Sequence, residues 1–357
     1  MSNCRYKRIP LETLHVEVER TLFASGMGCN EIHALIHLTP DAPSDENPIA
    51  LLLEAKTILE QFLGARTLYG RFFLRKAYDL SECDDQLSAI IQPPLDGTPA
   101  ALWLWLTQGC TNSAYRHTFL RGQSAPTTTP LLQGYKQSLE SRGLTLTDNC
   151  LRTWFFVKDI DHNYQELVES RKAFFLNEGL TPQTHYIAST GINGTPLCPT
   201  DIVQMEAYTV EGLQPEQVQY LKGSSHLNPT SEYGVTFERG TAIAYRDRKH
   251  LLISGTASID NHGQILYPEN AEKQAQRMLE NIQVLLNEGG ASLRDLVHGI
   301  IYLRREEDYP LVRHVVERVL PDLPKVYLLA PVCRPGWLVE MECMAAIPNN
   351  DEKWEAF

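Results

Sequence analysis

From Val332 the chain reads Val-Cys-Arg-Pro-Gly-Trp-Leu-Val-Glu-Met-Glu, ending at Glu342. Cys333, Arg334 and Glu340 thus surround a Pro-Gly turn, and the acid is embedded in an otherwise apolar run. A guanidinium offers a fixed fork for a carboxylate, a glutamate in apolar surroundings keeps its proton to higher pH, and a thiol is a small nucleophile. Together they suit an anionic organic substrate that is held and then protonated. The same residues also fit a plain hairpin with a solvated arginine and an edge-strand glutamate.

The rest of the composition narrows the chemistry. A formal charge of −12, with no Lys/Arg-rich tract, opposes a nucleic-acid partner. Hydrophobic residues make up 43% and charged residues 21%, as in an ordinary globular chain. No apolar run approaches the ~20 residues that a membrane crossing needs. The opening residues 1–8 are polar and lack an apolar signal region, so a cytoplasmic location is expected. The 8 cysteines form no C-x-x-C pair and no Cys/His cluster at zinc spacing, and are expected to be reduced. Of them Cys333 has an arginine beside it and a turn after it, which would expose the sulfur and favour its thiolate. No glycine-rich phosphate motif and no H-E-x-x-H are present, so no metal, flavin or nucleotide is expected.

These residues need elements to position them, and the chain repeats itself in supplying them. The run Leu293-Arg-Asp295, an apolar strand through residues 300–304, then Asp308-Tyr309 and a helical pattern answer Leu146-Thr-Asp148, residues 154–158, then Asn163-Tyr164 and a second helical pattern. Both copies close on an alternating strand, Val203-Gln204-Met205-Glu206 in one and Val339-Glu340-Met341-Glu342 in the other. Glu340 falls opposite Gln204, and only the second copy keeps the ionisable trio. Glu342, matched by Glu206, reads as structural, for instance in capping or orienting a loop.

Before the second copy, residues 235–245 and 250–258 alternate as a hairpin, and 272–288 is a strongly amphipathic helix. The order strand, strand, helix, strand, helix, strand predicts an α/β or α+β layer, a mixed sheet with helices on one face. Turn chemistry at 223–231 marks a linker, dividing the chain into 1–222 and 223–357. The N-terminal half is less regular: strands over 22–38, 66–76 and 98–108, a helix over 49–63, and a polar surface loop at 127–130 are expected. Trp103, Trp105, Trp154, Phe155 and Phe156 read as core.

Several stretches carry a resemblance. Ile253-Ser254-Gly255-Thr256-Ala257, residues 293–303, and Arg334 followed by Val339-Glu340-Met341-Glu342 resemble the RidA/YjgF family of small trimeric α/β domains. The whole chain resembles the chorismatases, which join a degenerate N-terminal RidA-like half to an active C-terminal one. Gln92-Pro93-Pro94-Leu95, residues 184–191, 232–241, 254–260 and 333–342 carry that likeness. It implies two RidA/YjgF-like (chorismate-mutase-like) domains, chorismate as substrate, and no cofactor.

By the same resemblance Glu340 is the general acid that protonates the enolpyruvyl ether, after which pyruvate leaves. Cys333 stands seven residues before it, which is similar to the 3-hydroxybenzoate-forming type. In that type the 4-hydroxyl displaces the ether to give an arene oxide, and the thiol assists its opening; 4-hydroxybenzoate can accompany the product. Arg334, Arg304 and Arg239 are candidates for holding the two carboxylates, and Tyr186, Tyr233 and Thr256 for bonding substrate oxygens. The alternatives are a chorismate hydrolase giving a dihydroxycyclohexadiene carboxylate, a RidA-like enamine/imine deaminase using Arg334 and water, and a non-catalytic metabolite-binding module. A chain of two fused copies is compatible with a monomer or a trimer.

Overall fold

Alternating apolar runs place the strands in three sheets, each with helices packed on one face. The computed structural model describes residues 3–43, 46–110 and 113–357, with the side chain of Tyr233 outside the described residues. The first sheet holds β1 (Cys4–Leu11), β2 (Val16–Phe23), β3 (Asn30–Leu38), β4 (Ala65–Leu74), β5 (Leu87–Ile91) and β6 (Ala100–Gln108), in the order β1-β2-β3-β6-β4-β5. Its helix α1 (Pro48–Leu63) starts where the Asn47 side chain accepts from the Ile49 N–H, carries proline in its first turn, and ends on Gly64 at φ 59°.

The second sheet runs β7-β10-β8-β9, from β7 (Arg116–Ala125), β8 (Cys150–Val157), β9 (Ala188–Asn193) and β10 (Val203–Glu211). It carries α2 (Thr128–Glu140), α3 (Leu146–Asn149) and α4 (Ile160–Asn177). The third has the order β11-β12-β13-β16-β14-β15. Its strands are β11 (Val218–Leu221), β12 (Gly240–Ala244), β13 (Arg248–Ala257), β14 (Leu296–Leu303), β15 (Lys325–Leu329) and β16 (Val339–Pro348), and α5 (Ala271–Glu288) and α6 (Tyr309–Val319) complete it. β11 precedes Gly223 in the chain yet pairs with β12.

One strand order recurs in all three sheets. β3-β6-β4-β5, β7-β10-β8-β9 and β13-β16-β14-β15 are each antiparallel except for the last pair, which is parallel. A parallel pair needs a crossover. α4 and α6 supply it in the second and third sheets, whereas residues 75–86 cross without a helix in the first. The N-terminal part of the chain therefore carries the order twice and the C-terminal part once.

Several local expectations change. The strand expected over 22–38 is two strands, parted by Gly26 and Gly28 at φ 78° and 94°. The polar run 127–130 is the start of α2 and not a surface loop: Thr128 is buried, and Glu166 accepts from its hydroxyl at 2.7 Å and its N–H at 3.1 Å. Strand pairing begins at Gly240 and not at Val235. Cys29 and Cys110 are disulfide partners, against the expectation of reduced thiols throughout, because the β2–β3 turn and the end of β6 meet there.

The sheets are joined by buried polar contacts. The Pro93-Pro94 turn, which offered no chemistry in the sequence, ties the first sheet to the third: Leu95 N–H donates to Tyr327 O at 2.9 Å and Leu329 N–H to Pro93 O at 2.8 Å. Arg71 Nε donates to Glu206 Oε2 at 2.8 Å between the first and second sheets. Arg248 Nη1 and His250 Nε2 reach Glu31 Oε2 at 3.0 and 2.7 Å between the third and the first. Trp103, Trp105 and Trp154 are buried among these contacts, as core residues.

Candidate functional site

Glu340 is the second residue of β16, opposite Ala257 on β13 and Tyr302 on β14. Its carboxyl faces the second sheet across a cavity of about 530 Å³. Cys333, Arg334 and Arg239 line that cavity from the same side, and Tyr164 and Arg171 of α4 line it from the other. Phe237, Ile259 and Trp337 supply apolar wall.

The walls are held in place. The Ser254 hydroxyl accepts from Ser189 N–H at 2.9 Å and donates to Glu238 O at 2.6 Å, and Gly255 N–H donates to Thr190 Oγ1 at 3.0 Å. Arg171 donates to Thr236 Oγ1 and Ser189 Oγ at 3.2 and 3.3 Å, and Arg239 to the Asn228 backbone oxygen at 3.0 Å. The Arg334 guanidinium lies 5.1 Å over the ring of Trp337, whose indole N–H donates to Ser258 O at 3.0 Å.

Burial dominates the electrostatics. Removal from water, followed by the negative charge of Glu342 two residues on, pushes Glu340 up to about 8, against the pull of Arg152 and Arg239. Near neutral pH it is therefore a protonated acid. The Cys333 thiol is pushed up to about 12, first by burial and then by Glu340, while a hydrogen bond with Tyr164 and the nearby arginines oppose the shift. This corrects the expected thiolate: the turn lays the sulfur into the cavity wall, where desolvation outweighs Arg334.

Glu342, two residues further along β16 and on the same face, does structural work of another kind than loop capping. It accepts from Arg152 Nη2 at 2.7 Å, from Trp154 Nε1 at 3.0 Å and from the Thr190 hydroxyl, all on the second sheet. Arg71 Nη1 of the first sheet stands 3.6 Å away. One strand thus presents a protonated acid and, on the same face, a second carboxyl held by two arginines.

The remaining expected residues are placed elsewhere. Arg304 pairs with Asp161 at 2.8 Å, donates to Val332 O and does not line the cavity. Tyr186 is buried behind it, its backbone N–H on Glu238 Oε1 at 2.8 Å. The Thr256 hydroxyl donates to Ser254 O at 2.9 Å, on the far face of β13. The side chain of Tyr233 lies outside the described residues. Arg171 and Tyr164 were missed. A signal existed for Arg171: an arginine stands where the matching helical position of the other copy has the apolar Val316.

Gly255 leaves the space that the acid fills, since a Cβ there would fall on Glu340 Oε1, with Cδ at 2.8 Å. Gly255→Ala is expected to displace the carboxyl and lower turnover by at least tenfold with little loss of stability, checked by steady-state rates alongside thermal melting; an unchanged rate would mean that the acid has room to spare.

Residues 241–347 match the family model described as Endoribonuclease L-PSP. A 3-hydroxybenzoate synthase from Streptomyces hygroscopicus is 35% identical over 102 residues, which cover 26% of this chain and 30% of that protein. The match thus spans less than a third of that relative's length. A 3-aminoacrylate deaminase RutC from Acinetobacter baylyi is 28% identical over 97 residues, covering 27% of this chain and 77% of that protein. Among solved structures, a chorismatase superposes with a TM-score of 0.62 at 21% identity, covering 78% of this chain and 92% of that one. No helix among the described residues is long and apolar enough to cross a membrane. In fold the chain is chorismatase-like, and the L-PSP family match lies within its third sheet and the helices of that sheet.

Proposed function

We propose that the protein is a chorismatase of the 3-hydroxybenzoate-forming type. The observation that carries this reading is a carboxylic acid, protonated near neutral pH, facing a cavity lined by three guanidiniums. Chorismate is a dianion, and Arg171, Arg239 and Arg334 match two carboxylates better than one. Glu340 delivers its proton to the enolpyruvyl methylene, and the ring 4-hydroxyl then attacks ring C3, breaking the C3–O ether bond towards the oxocarbenium side and releasing the hydroxyl proton to solvent. Pyruvate leaves, the ring keeps the oxygen as an arene oxide, and Glu340 is reprotonated from solvent.

Cys333 then acts as a neutral thiol beside the ring, with Tyr164 on its sulfur, and directs opening towards 3-hydroxybenzoate. We also propose the division into 1–222 and 223–357, with β11 crossing the boundary, and the C-terminal part carrying the acid. The purified protein should release pyruvate and an aromatic product from chorismate. Failure to consume chorismate would sink the proposal. Cys333→Ala should still release pyruvate but redirect the ring product towards the dihydrodiol or 4-hydroxybenzoate; the wild-type product ratio from that variant would make the thiol a packing residue.

A second reading is supported by the RutC likeness, which covers most of that smaller protein. Arg334 would hold the carboxylate of an enamine while water hydrolyses it. Ammonia release from 2-aminoacrylate, without pyruvate release from chorismate, is the result that would favour it.

A further inference from the structure

The strand order that builds the candidate site also meets between the first and third sheets, and a second cavity lies there. Register fixes the correspondence. Ala101 pairs with His37 of β3 and Phe73 of β4, as Glu340 pairs with Ala257 and Tyr302. Across the interface, Lys325 and Tyr327 of β15 stand where β9 has Ser189 and Gly191, and Tyr309 at the start of α6 answers Tyr164, one turn into α4. At the remaining interface, between the second and first sheets, Gln204 takes the place of the acid and its amide donates to Ala89 O at 3.0 Å.

The second cavity is an open cleft of about 940 Å³, solvent-facing space included, and its lining is charged differently. Ala101, at the register position of Glu340, carries no proton donor. In place of three guanidiniums, Lys325 and Arg313 face Asp96 and Glu19. The Tyr327 hydroxyl is the pointer to a ligand: the residue is 8% exposed, lines the cavity, and its Oη has no hydrogen-bond partner. A buried hydroxyl left unpaired is costly, and a bound polar group would satisfy it. Lys325 beside it spends two protons on Leu320 O and Leu323 O, at 3.1 and 3.2 Å. Opposite, Asp96 Oδ1 accepts from the Thr98 hydroxyl at 2.6 Å, and Oδ2 stands 3.7 Å from His37. Arg313 and Arg8 are paired with Glu317 and Glu17. The Tyr309 and Tyr327 rings meet edge to face at 5.3 Å, giving an aromatic flank.

We propose that this cavity binds a small zwitterion of the α-amino acid class, its carboxylate on Lys325 and the Tyr327 hydroxyl and its ammonium on Asp96 and Glu19, without turning it over. The inference stands independently of the activity proposed for the other cavity. Titration calorimetry of the full chain with L-phenylalanine, 3-phenylpropionate and 2-phenylethylamine tests it. L-phenylalanine should bind saturably, and the two single-charge analogues at least tenfold more weakly. Tyr327→Phe, a conservative change, and Asp96→Asn should each weaken L-phenylalanine at least tenfold, whereas Glu340→Gln should leave its affinity within twofold. Absence of saturable binding, equal binding of either analogue, or a loss that follows Glu340→Gln and spares Tyr327→Phe would overturn the proposal.

Discussion

Glu340→Gln is expected to stop pyruvate release from chorismate while making the protein more stable. Loss of a general acid costs about 10²–10⁴-fold, and here no other acid among the lining residues can replace it. The stability gain follows from proton linkage. Glu340 is pushed up to about 8 in the folded chain, from an ordinary value near 4.5. Between those two pH values the folded state holds a proton that the unfolded state releases, so this residue lowers stability progressively as pH rises.

Below about pH 4.5 the effect vanishes, because both states are protonated. Glutamine never ionises and escapes it. By pH 8 the variant should exceed the wild type by roughly 2–5 kcal/mol, with convergence near pH 4–5. Wild-type turnover should fall as pH climbs through 8, on the same ionisation. Denaturant melts at pH 5 and 8, with pyruvate assays, check both. Normal turnover by the variant would remove Glu340 from the mechanism, and an unchanged pH slope of stability would place the buried proton on another group.

Arg152→Met is expected to cause the largest loss of stability. Arg152 is 3% exposed and its guanidinium meets Glu342 at 2.7 Å. Removing one member of a buried pair strands the other, at a cost of roughly 3–5 kcal/mol. Arg71, at 3.6 Å, compensates only partly. Arg152→Met with Glu342→Gln should recover much of the loss, since neither charge is then left alone. Because Arg152 also draws Glu340 downwards, the single variant should shift the alkaline limb of activity to higher pH. Urea unfolding of the single and double variants decides the matter: a loss below about 1 kcal/mol would make the pair dispensable.

What the sequence revealed was set by distance along the chain. Cys333, Arg334 and Glu340 lie within one turn and strand, so their convergence could be read directly. The repeat between the second and third sheets was visible because both retain a crossover helix and a closing strand with Glu206 or Glu342. The first sheet hid its kinship: residues 75–86 cross without a helix, and Ala101 and Trp103 stand where the others have polar residues. Arg171 and Tyr164 reach the cavity only through packing of one sheet on another, which no local period encodes. Arg304 misled for the same reason in reverse, since its partner Asp161 is 143 residues away. Cys333 lines the cavity but not as the expected thiolate, because burial depends on the opposing sheet and not on the neighbouring arginine.

Joining three sheets by peptide bonds changes both the mass action and the symmetry of the assembly. Separate subunits must find one another, so a site built between them is lost on dilution. Here Arg171 and Glu340 belong to one polypeptide, and the cavity they share persists at any concentration at which the chain is folded. In a ring of identical subunits, one substitution is repeated at every interface. In this chain it is felt once. One junction can therefore keep a carboxyl at Glu340 while the matching positions of the other two carry Gln204, bonded to Ala89 O, and Ala101.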